Sequence, residues 1–180
     1  MSVTTKQGDK GGTKLYGGSA ASKSSKVVGV LGDLDELTVS LSASRLYLAK
    51  KTSTDIADIQ RNLYLIGSVV AGFSSGNQVK AHLIAKTLAL EQSIALMEKK
   101  LPALKNFILP FGCKSAVYLH VARVVCRRCE RAIVGLLGAS EKNKYLIGYI
   151  NRLSDFLFTL ARFENYNHTI TEELATLRPQ

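Results

Sequence analysis

His120-Val-Ala-Arg-Val-Val-Cys-Arg-Arg-Cys-Glu-Arg131 is the stretch on which the reading of this chain turns. Taken as a helix, it sets Arg123, Arg127 and Arg131 in one row, four residues apart. Val117, Val121, Val124, Val125 and Ala132 form the neighbouring apolar stripe, which the helical period assigns to the buried side. Arg128 then points into that stripe. A guanidinium there keeps its proton, so it requires a carboxylate or a phosphate as partner. A helix with this much fixed positive charge at a buried edge either holds the fold through ion pairs or holds a polyanion.

The chain has 180 residues, enough for one domain with a real core, and its 46% apolar content is that of a globular protein. It has no apolar run of about 18 residues, so neither a membrane span nor a membrane partner is expected. Met1-Ser-Val-Thr-Thr-Lys6 resembles neither a secretory signal nor an Arg-rich transit peptide. The expected compartment is the cytoplasm, or the mitochondrial matrix for a processed eukaryotic protein. Cys113, Cys126 and Cys129 have no framework spacing and fit a reducing compartment. Net charge is +10, and its placement is uneven. Lys6, Lys10, Lys14, Lys23 and Lys26 face only Asp9 in the first 26 residues, and the four arginines of 123–131 face only Glu130. Excess charge focused on a loop and a helix suits an anionic ligand. Aromatic residues are sparse in both basic stretches, so nucleic acid is not the expected partner.

Residues 1–25 show no amphipathic period. Thr4-Thr-Lys-Gln-Gly-Asp-Lys-Gly-Gly-Thr-Lys-Leu-Tyr-Gly-Gly18 combines glycines with lysine and threonine donors, the chemistry of a phosphate cradle. It matches neither a Walker A motif nor GxGxxG, and its composition also describes a flexible tail. Apolar periodicity predicts helices over residues 26–50, 54–73, 78–100, 114–138 and 142–167. Ser74-Ser-Gly-Asn77 breaks the second from the third, and Gly135 and Gly138 end the fourth. A loop with Pro102 and Pro110, carrying Phe107 and Phe111, leads into the fourth. No strand signal appears. The expected fold is all-α, a five-helix bundle of residues 26–168 preceded by a loop and followed by a frayed tail over 169–180. In the first helix Asp35 is the natural partner for a buried arginine, while at least one of Asp33 and Glu36 reads as surface charge.

Several chemistries are excluded. His82, His120 and His168 are scattered, with no second ligand one turn away, so no metal site is expected. His120 reads as a satisfied helix histidine rather than a base. Cys126-Arg-Arg-Cys129 has a redox spacing but falls mid-helix, and reads as two small packing residues. What remains is a Gly/Lys/Thr loop, an arginine row, and Asn151 with Asp155 on the last helix. Such a set binds a triphosphate without supplying a general base. It suits a nucleophile that needs no deprotonation and a polyphosphate leaving group.

With these residues in view, the sequence resembles the PduO-type ATP:cob(I)alamin adenosyltransferases. The resemblance rests on Thr5-Lys-x-Gly-Asp-Lys-Gly11, Gly32-x-x-Asp-Glu-Leu37, Phe107-Ile-Leu-Pro110, Leu119-His-x-Ala-Arg-x-x-x-Arg-Arg-x-Glu-Arg131, and Asn151-Arg-Leu-Ser-Asp-x-Leu-Phe158 with Ala161-Arg162. It implies a ferritin-like five-helix bundle assembled as a homotrimer. It implies transfer of the 5′-deoxyadenosyl group of ATP, with Mg2+, to the cobalt of cob(I)alamin, releasing triphosphate. By the same resemblance Thr5, Lys6, Gly8, Asp9, Lys10, Gly11, Gly12, Thr13, Lys14 and Lys23 wrap the nucleotide. Arg127, Arg128, Glu130, Arg131 and Asn151 complete its site. Phe107 sits against the corrin and displaces the lower cobalt ligand, and Asp35 pairs with Arg123 across the subunit boundary. A flavoprotein reductase and an adenosylcobalamin-dependent enzyme are the implied protein partners.

The chain departs from the family at Phe111 and Cys113, where small residues are usual, at Ser24-Ser-Lys-Val27, and at Thr38, where Asn is common. A non-catalytic corrinoid or nucleotide carrier on the same fold, and a basic helical module that binds nucleic acid, are the rival readings.

Overall fold

A computed structural model describes Thr4, Lys6, residues 8–73 and residues 76–175. Thr5, Ser74, Ser75 and residues 176–180, all touched by the sequence reading, lie outside the described residues. The elements are β1 (Gly12–Lys14), β2 (Ala20–Ser22), α1 (Lys26–Arg45), α2 (Lys50–Val70), α3 (Gly76–Glu98), α4 (Lys114–Leu137) and α5 (Lys144–Asn167). The five expected helices are present. The segment read as a loop without strands contains a short antiparallel hairpin, pairing Gly12 with Ser22 and Lys14 with Ala20. Three-residue strands are too brief to show a period of two, which is why the pattern missed them.

Helix α4 is the centre of the bundle. One flank packs on α1 and the other on α5; α2 completes the α1 side and α3 the α5 side. The core runs along this arrangement: Leu37 and Leu41 from α1, Ile56 and Leu63 from α2, Leu119 and Ile133 from α4, and Tyr149, Leu153 and Leu157 from α5 are all buried. Gln60 of α2 stitches α1 to α2. Its Nε2 donates to the Thr38 carbonyl and the Ser42 hydroxyl, both at 2.8 Å, and its Oε1 accepts from Arg45. Asn62 does the same between α2, α3 and α5, donating to the Tyr149 hydroxyl at 3.1 Å and meeting His82 Nε2 at 2.9 Å. Each of these buried polar groups is satisfied, so none costs the core its desolvation penalty.

The face that α4 buries differs from the expected one. Its inward residues are Ala116, Leu119, His120, Ala122, Val125, Cys126, Cys129 and Ile133. Val117, Val121 and Val124 are instead 37%, 45% and 52% exposed. The helix is apolar on two faces, and periodicity cannot say which one meets the rest of the same chain. Small residues decided the matter: alanine and cysteine at the α1/α4/α5 junction let the three helices approach. The Cys126 thiol donates to the Ile150 carbonyl of α5 at 3.3 Å, and the Cys129 thiol to the Asp33 carbonyl of α1 at 3.0 Å. These are packing residues, as the sequence suggested. The neighbouring arginines do not activate them: burial pushes Cys126 well up and Cys129 to about 12.

Boundaries moved where no breaker marks them. The first helix stops at Arg45 rather than continuing to residue 50, although Leu46-Tyr-Leu48 prolongs the apolar pattern. Gly29 and Gly32 lie inside α1 without ending it, and Gly135 lies inside α4. Only Gly138, at φ +71°, terminates α4. The described part of the C-terminal segment is not frayed. Ile108 and Leu174 form an antiparallel bridge, flanked by hydrogen bonds from Leu109 N to the Glu173 carbonyl and from Ala175 N to the Phe107 carbonyl, both 2.8 Å.

The burial pattern sets an expectation for thiol chemistry. Titration of the native protein with a disulfide reagent should reveal one fast thiol, the half-buried Cys113, with Cys126 and Cys129 reacting only after denaturation. Fast reaction of a second thiol in the native state contradicts the α4 packing described.

Candidate functional site

The arginines of α4 divide by their partners. Arg128 reaches α1, where its Nε meets Asp33 Oδ1 at 3.0 Å and its Nη2 contacts Glu36. The hydrogen bonds to Glu36 and then Asp33 hold its guanidinium above the ordinary value. Asp33 and Glu36 are therefore structural partners of Arg128, not simple surface charge, and Arg128 lies at the edge of α4 rather than within its buried face. Among the described residues, Arg123, Arg127 and Arg131 have no ion pair. Arg127 and Arg131 are exposed. Arg123 is half-buried, its Nε enclosed without a hydrogen-bond partner, and its guanidinium lies 5.8 Å from the centre of the Phe158 ring. Burial, then the neighbouring Arg127 charge, lowers the Arg123 pKa from its usual value.

Arg123 and Arg127 open on a cavity of about 450 Å³ between α3, α4 and α5, shared with Arg152, Ser154, Asp155 and Phe158. Arg152 is already engaged by Glu91 of α3 and by Asp155. One turn further along α4, Asn151 Nδ2 donates to Glu130 Oε1 at 2.8 Å, so these two expected nucleotide residues do meet. Arg152 and Phe158 line the cavity although the sequence reading gave them no role. Their signal was present, since both fall in the Asn151–Phe158 motif.

His120 lies one turn before this cavity, 4% exposed, its ring 6.1 Å from that of Phe158. Neither ring nitrogen has a hydrogen-bond partner, which corrects the expectation of a satisfied histidine. Burial, and next the charge of Arg123, lower its pKa to about 4 against an opposing pull from Glu172. A ring kept neutral in this way is no base for a proton at neutral pH. It leaves the positive charge of the region to the guanidiniums.

The glycine segment lies elsewhere on the chain. Lys23 N donates to the Gly11 carbonyl at 2.9 Å, closing the hairpin onto the loop before it. The Lys23 side chain lies across Gly8, where an added Cβ would sit 2.8 Å from Nζ. The Lys23 ammonium therefore lies beside Gly8. Thr13, Lys14 and Tyr16 border a cavity of about 650 Å³ against α1 and α2, shared with Asp35, Arg61 and Tyr64. Within one chain, therefore, the structure groups Thr13, Lys14 and Asp35 around one cavity and Arg123 and Arg127 around another. No hydrogen bond or ion pair among the described residues joins the hairpin to α4, or Asp35 to Arg123.

Phe107 stands away from both, on the loop before α4, 74% exposed, with Phe111 at 62%. Phe111 is an outward-facing aromatic rather than a core plug. For a divalent cation, the described residues contain no cluster of three or more His, Cys, Asp or Glu side chains. Glu130 lies on α4 among the arginines, and Glu98 and Asp155 line the cavity that Arg123 and Arg127 share.

The chain is thus a five-helix bundle with an arginine-lined cavity, a basic glycine hairpin and exposed loop aromatics. Residues 3–164 match the family model described as cobalamin adenosyltransferase, and the chain belongs to that family. It is 38% identical over 170 residues to the corrinoid adenosyltransferase MMAB of Bos taurus, covering 89% of this chain and 70% of that protein. It is 36% identical over 165 residues to a cobalamin adenosyltransferase of Cupriavidus metallidurans, covering 91% of this chain and 88% of the relative. Among solved structures, a variant PduO-type ATP:corrinoid adenosyltransferase from Lactobacillus reuteri, complexed with cobalamin and ATP, superposes with a TM-score of 0.87 at 31% identity. That match covers 98% of this chain and 97% of the other.

The His120 environment fixes a pH dependence. The unfolded ring takes up a proton near pH 6.5, while the folded ring resists until about 4. The unfolded state binds more protons in that window, so stability is fully present above pH 6.5 and is lost as pH falls toward 4. The loss is on the order of 3 kcal/mol. Urea midpoints measured between pH 7 and 4 should fall more steeply for the native protein than for His120→Leu. A His120 resonance, assigned by its loss in His120→Leu, that titrates near 6.5 in the folded protein contradicts the burial argument.

Proposed function

We propose that this protein transfers the 5′-deoxyadenosyl group of ATP to the cobalt of cob(I)alamin. The Co(I) electron pair forms the bond to C5′, the C5′–O bond breaks, and its electrons leave on triphosphate. The observation that carries this reading is the charge assignment on α4: three guanidiniums without an ion pair among the described residues, two of them on one cavity, which Glu98 and Asp155 also line, beside the Glu130–Asn151 contact. Cobalt needs no deprotonation before it attacks, which agrees with a site whose histidine stays neutral. Negative charge grows on the departing phosphate oxygens, and Arg127, Arg131 and the lysines of the glycine hairpin are the groups suited to stabilise it. A magnesium ion arriving with ATP would take its oxygens from phosphate, with Glu130 as the available carboxylate. Arg128 supports the site through α1, and its pair with Asp33 and Glu36 aligns the helix.

We further propose a homotrimer in which the two cavities of neighbouring copies meet. A head-to-tail contact that closes into a ring joins two different faces of the same chain. This chain offers both: the hairpin and Asp35 on the α1/α2 side, and Arg123 on α4 with an unsatisfied Nε. Asp35 of one copy pairing with Arg123 of the next would satisfy a donor that a single chain leaves buried and alone. The exposed apolar strip Val117, Val121 and Val124, with Tyr118 stacked on Tyr47 at 5.5 Å, is the surface such an assembly would cover. Phe107 and Phe111 form the aromatic edge offered to the corrin. A flavin-dependent reductase that supplies Co(I), and an enzyme that consumes adenosylcobalamin, are the partners this chemistry requires. No helix among the described residues is long and apolar enough to cross a membrane.

Under a strong reductant, ATP should discharge the cob(I)alamin spectrum in the presence of this protein. Arg127→Ala should lower kcat/KM for ATP by roughly a hundredfold. A spectrum that persists identifies a carrier instead, and full turnover by Arg127→Ala removes that residue from the site.

Light scattering should give a particle of three 19.6 kDa chains. Val121→Asp should dissociate it and abolish turnover together. A fully active monomer contradicts the shared site.

A further inference from the structure

The loop from Pro102 to Cys113 presents its aromatic side chains to solvent, yet its backbone is tied at every stage to one turn of α5. Asn165, 2% exposed, spans the end of the loop. Its Nδ2 donates to the Phe111 carbonyl at 2.9 Å and its Oδ1 accepts from Cys113 N at 3.0 Å. Gly112 between them sits at φ +141°, and a Cβ there would fall 1.9 Å from Asn165 Oδ1, so the staple admits only glycine. Arg162, three residues earlier and 6% exposed, takes both oxygens of Glu172, at 2.7 and 3.0 Å, and donates to the Pro102 carbonyl at 2.9 Å. Glu172 starts the short extended segment whose next residues bind Leu109 N and the Phe107 carbonyl. The start, middle and end of the loop thus hang on two buried side chains of a single helical turn.

A buried guanidinium–carboxylate pair and a buried amide seldom add much net stability, because desolvation offsets their attraction. Here they order a segment whose own side chains lie outside the core. Ordering an exposed aromatic edge gives no gain in folding, but it lowers the entropy lost when a ligand docks there.

We propose that Arg162 and Asn165 are positioning residues for the corrinoid. Through Glu172 and the Phe107/Ala175 hydrogen bond, they hold Phe107 and Phe111 in the docking conformation while touching no substrate themselves. This rests on the reading of Phe107 as the corrin-facing residue.

The test measures steady-state KM for cob(I)alamin and for ATP separately in Asn165→Ala, Asn165→Asp and Ala175→Pro. The proline variant removes the N–H that binds the Phe107 carbonyl and leaves the core side chains unchanged. Loss of one or two such bonds should raise the corrinoid KM roughly tenfold, with the ATP KM unchanged. Asn165→Asp keeps the acceptor for Cys113 N but turns a carboxylate oxygen on the Phe111 carbonyl, so it should raise the corrinoid KM at least as far as Asn165→Ala. An unchanged corrinoid KM in Ala175→Pro overturns the proposal, as does an equal rise in both constants, which marks a merely structural role. If Asn165→Ala fails to fold, the proline variant alone decides. Absence of any corrinoid turnover in the unaltered protein would instead remove the function on which this rests.

Discussion

The guanidinium of Arg128 sits where α4 meets α1, and its two carboxylates determine which positive charges remain for a ligand. Asp33 and Glu36 are both spent on it. Arg152 is spent on Glu91 and Asp155, and Arg162 on Glu172. Those acidic side chains are thereby committed elsewhere, and among the described residues Arg127 and Arg131 make no ion pair, although Glu98 lines the cavity that Arg127 borders. Like charges on successive turns of one helix repel, and that arrangement costs stability unless an anion arrives. The bundle tolerates it because α4 is anchored on both flanks by apolar packing and by two thiol hydrogen bonds to neighbouring backbone. The same helix therefore carries the core on one face and the binding charge on another.

Much of this was legible in the sequence because it depends on local periodicity and residue chemistry. Five helices follow from apolar spacing, and Cys126 and Cys129 were read as packing residues from their position in mid-helix. The meeting of Glu130 with Asn151 followed from the family resemblance. What stayed hidden depends on which surface meets which. Val117, Val121 and Val124 look as buried as Val125 to any periodic analysis. Their exposure follows from the small residues on the other side of α4, which win the tightly packed position. The Asp33 and Glu36 contacts were missed for a related reason: a carboxylate beside an apolar stripe reads as solvated until the facing helix is known. Asn165 gave no signal at all, since its partners are backbone groups more than fifty residues away.

The separation of the two basic clusters within one chain carries the strongest constraint on assembly. A binding site whose halves lie on opposite flanks of a bundle is completed by folding further or by meeting another copy. The Lys23–Gly11 bond closes the hairpin on itself while Thr13 and Lys14 border the α1/α2 cavity, and in our proposal the other half comes from a second copy. Arg123 adds a local reason, since its enclosed Nε has no acceptor among the described residues and would gain one from a carboxylate of a second copy.

The two candidate halves of the site also differ in their physics. The half we propose for the nucleotide consists of exposed cations whose attraction to phosphate acts over a distance and tolerates imprecise placement. The corrinoid half consists of aromatic faces, for which contact falls away within an ångström, so their positions have to be set in advance. That difference explains where the bundle places its buried polar groups. Lys10, Lys14, Arg127 and Arg131 need no scaffold beyond their own backbone. The loop that carries Phe107 and Phe111 is tied to Arg162 and Asn165, buried near the end of the last helix, and through Arg162 to the half-buried Glu172 beyond it.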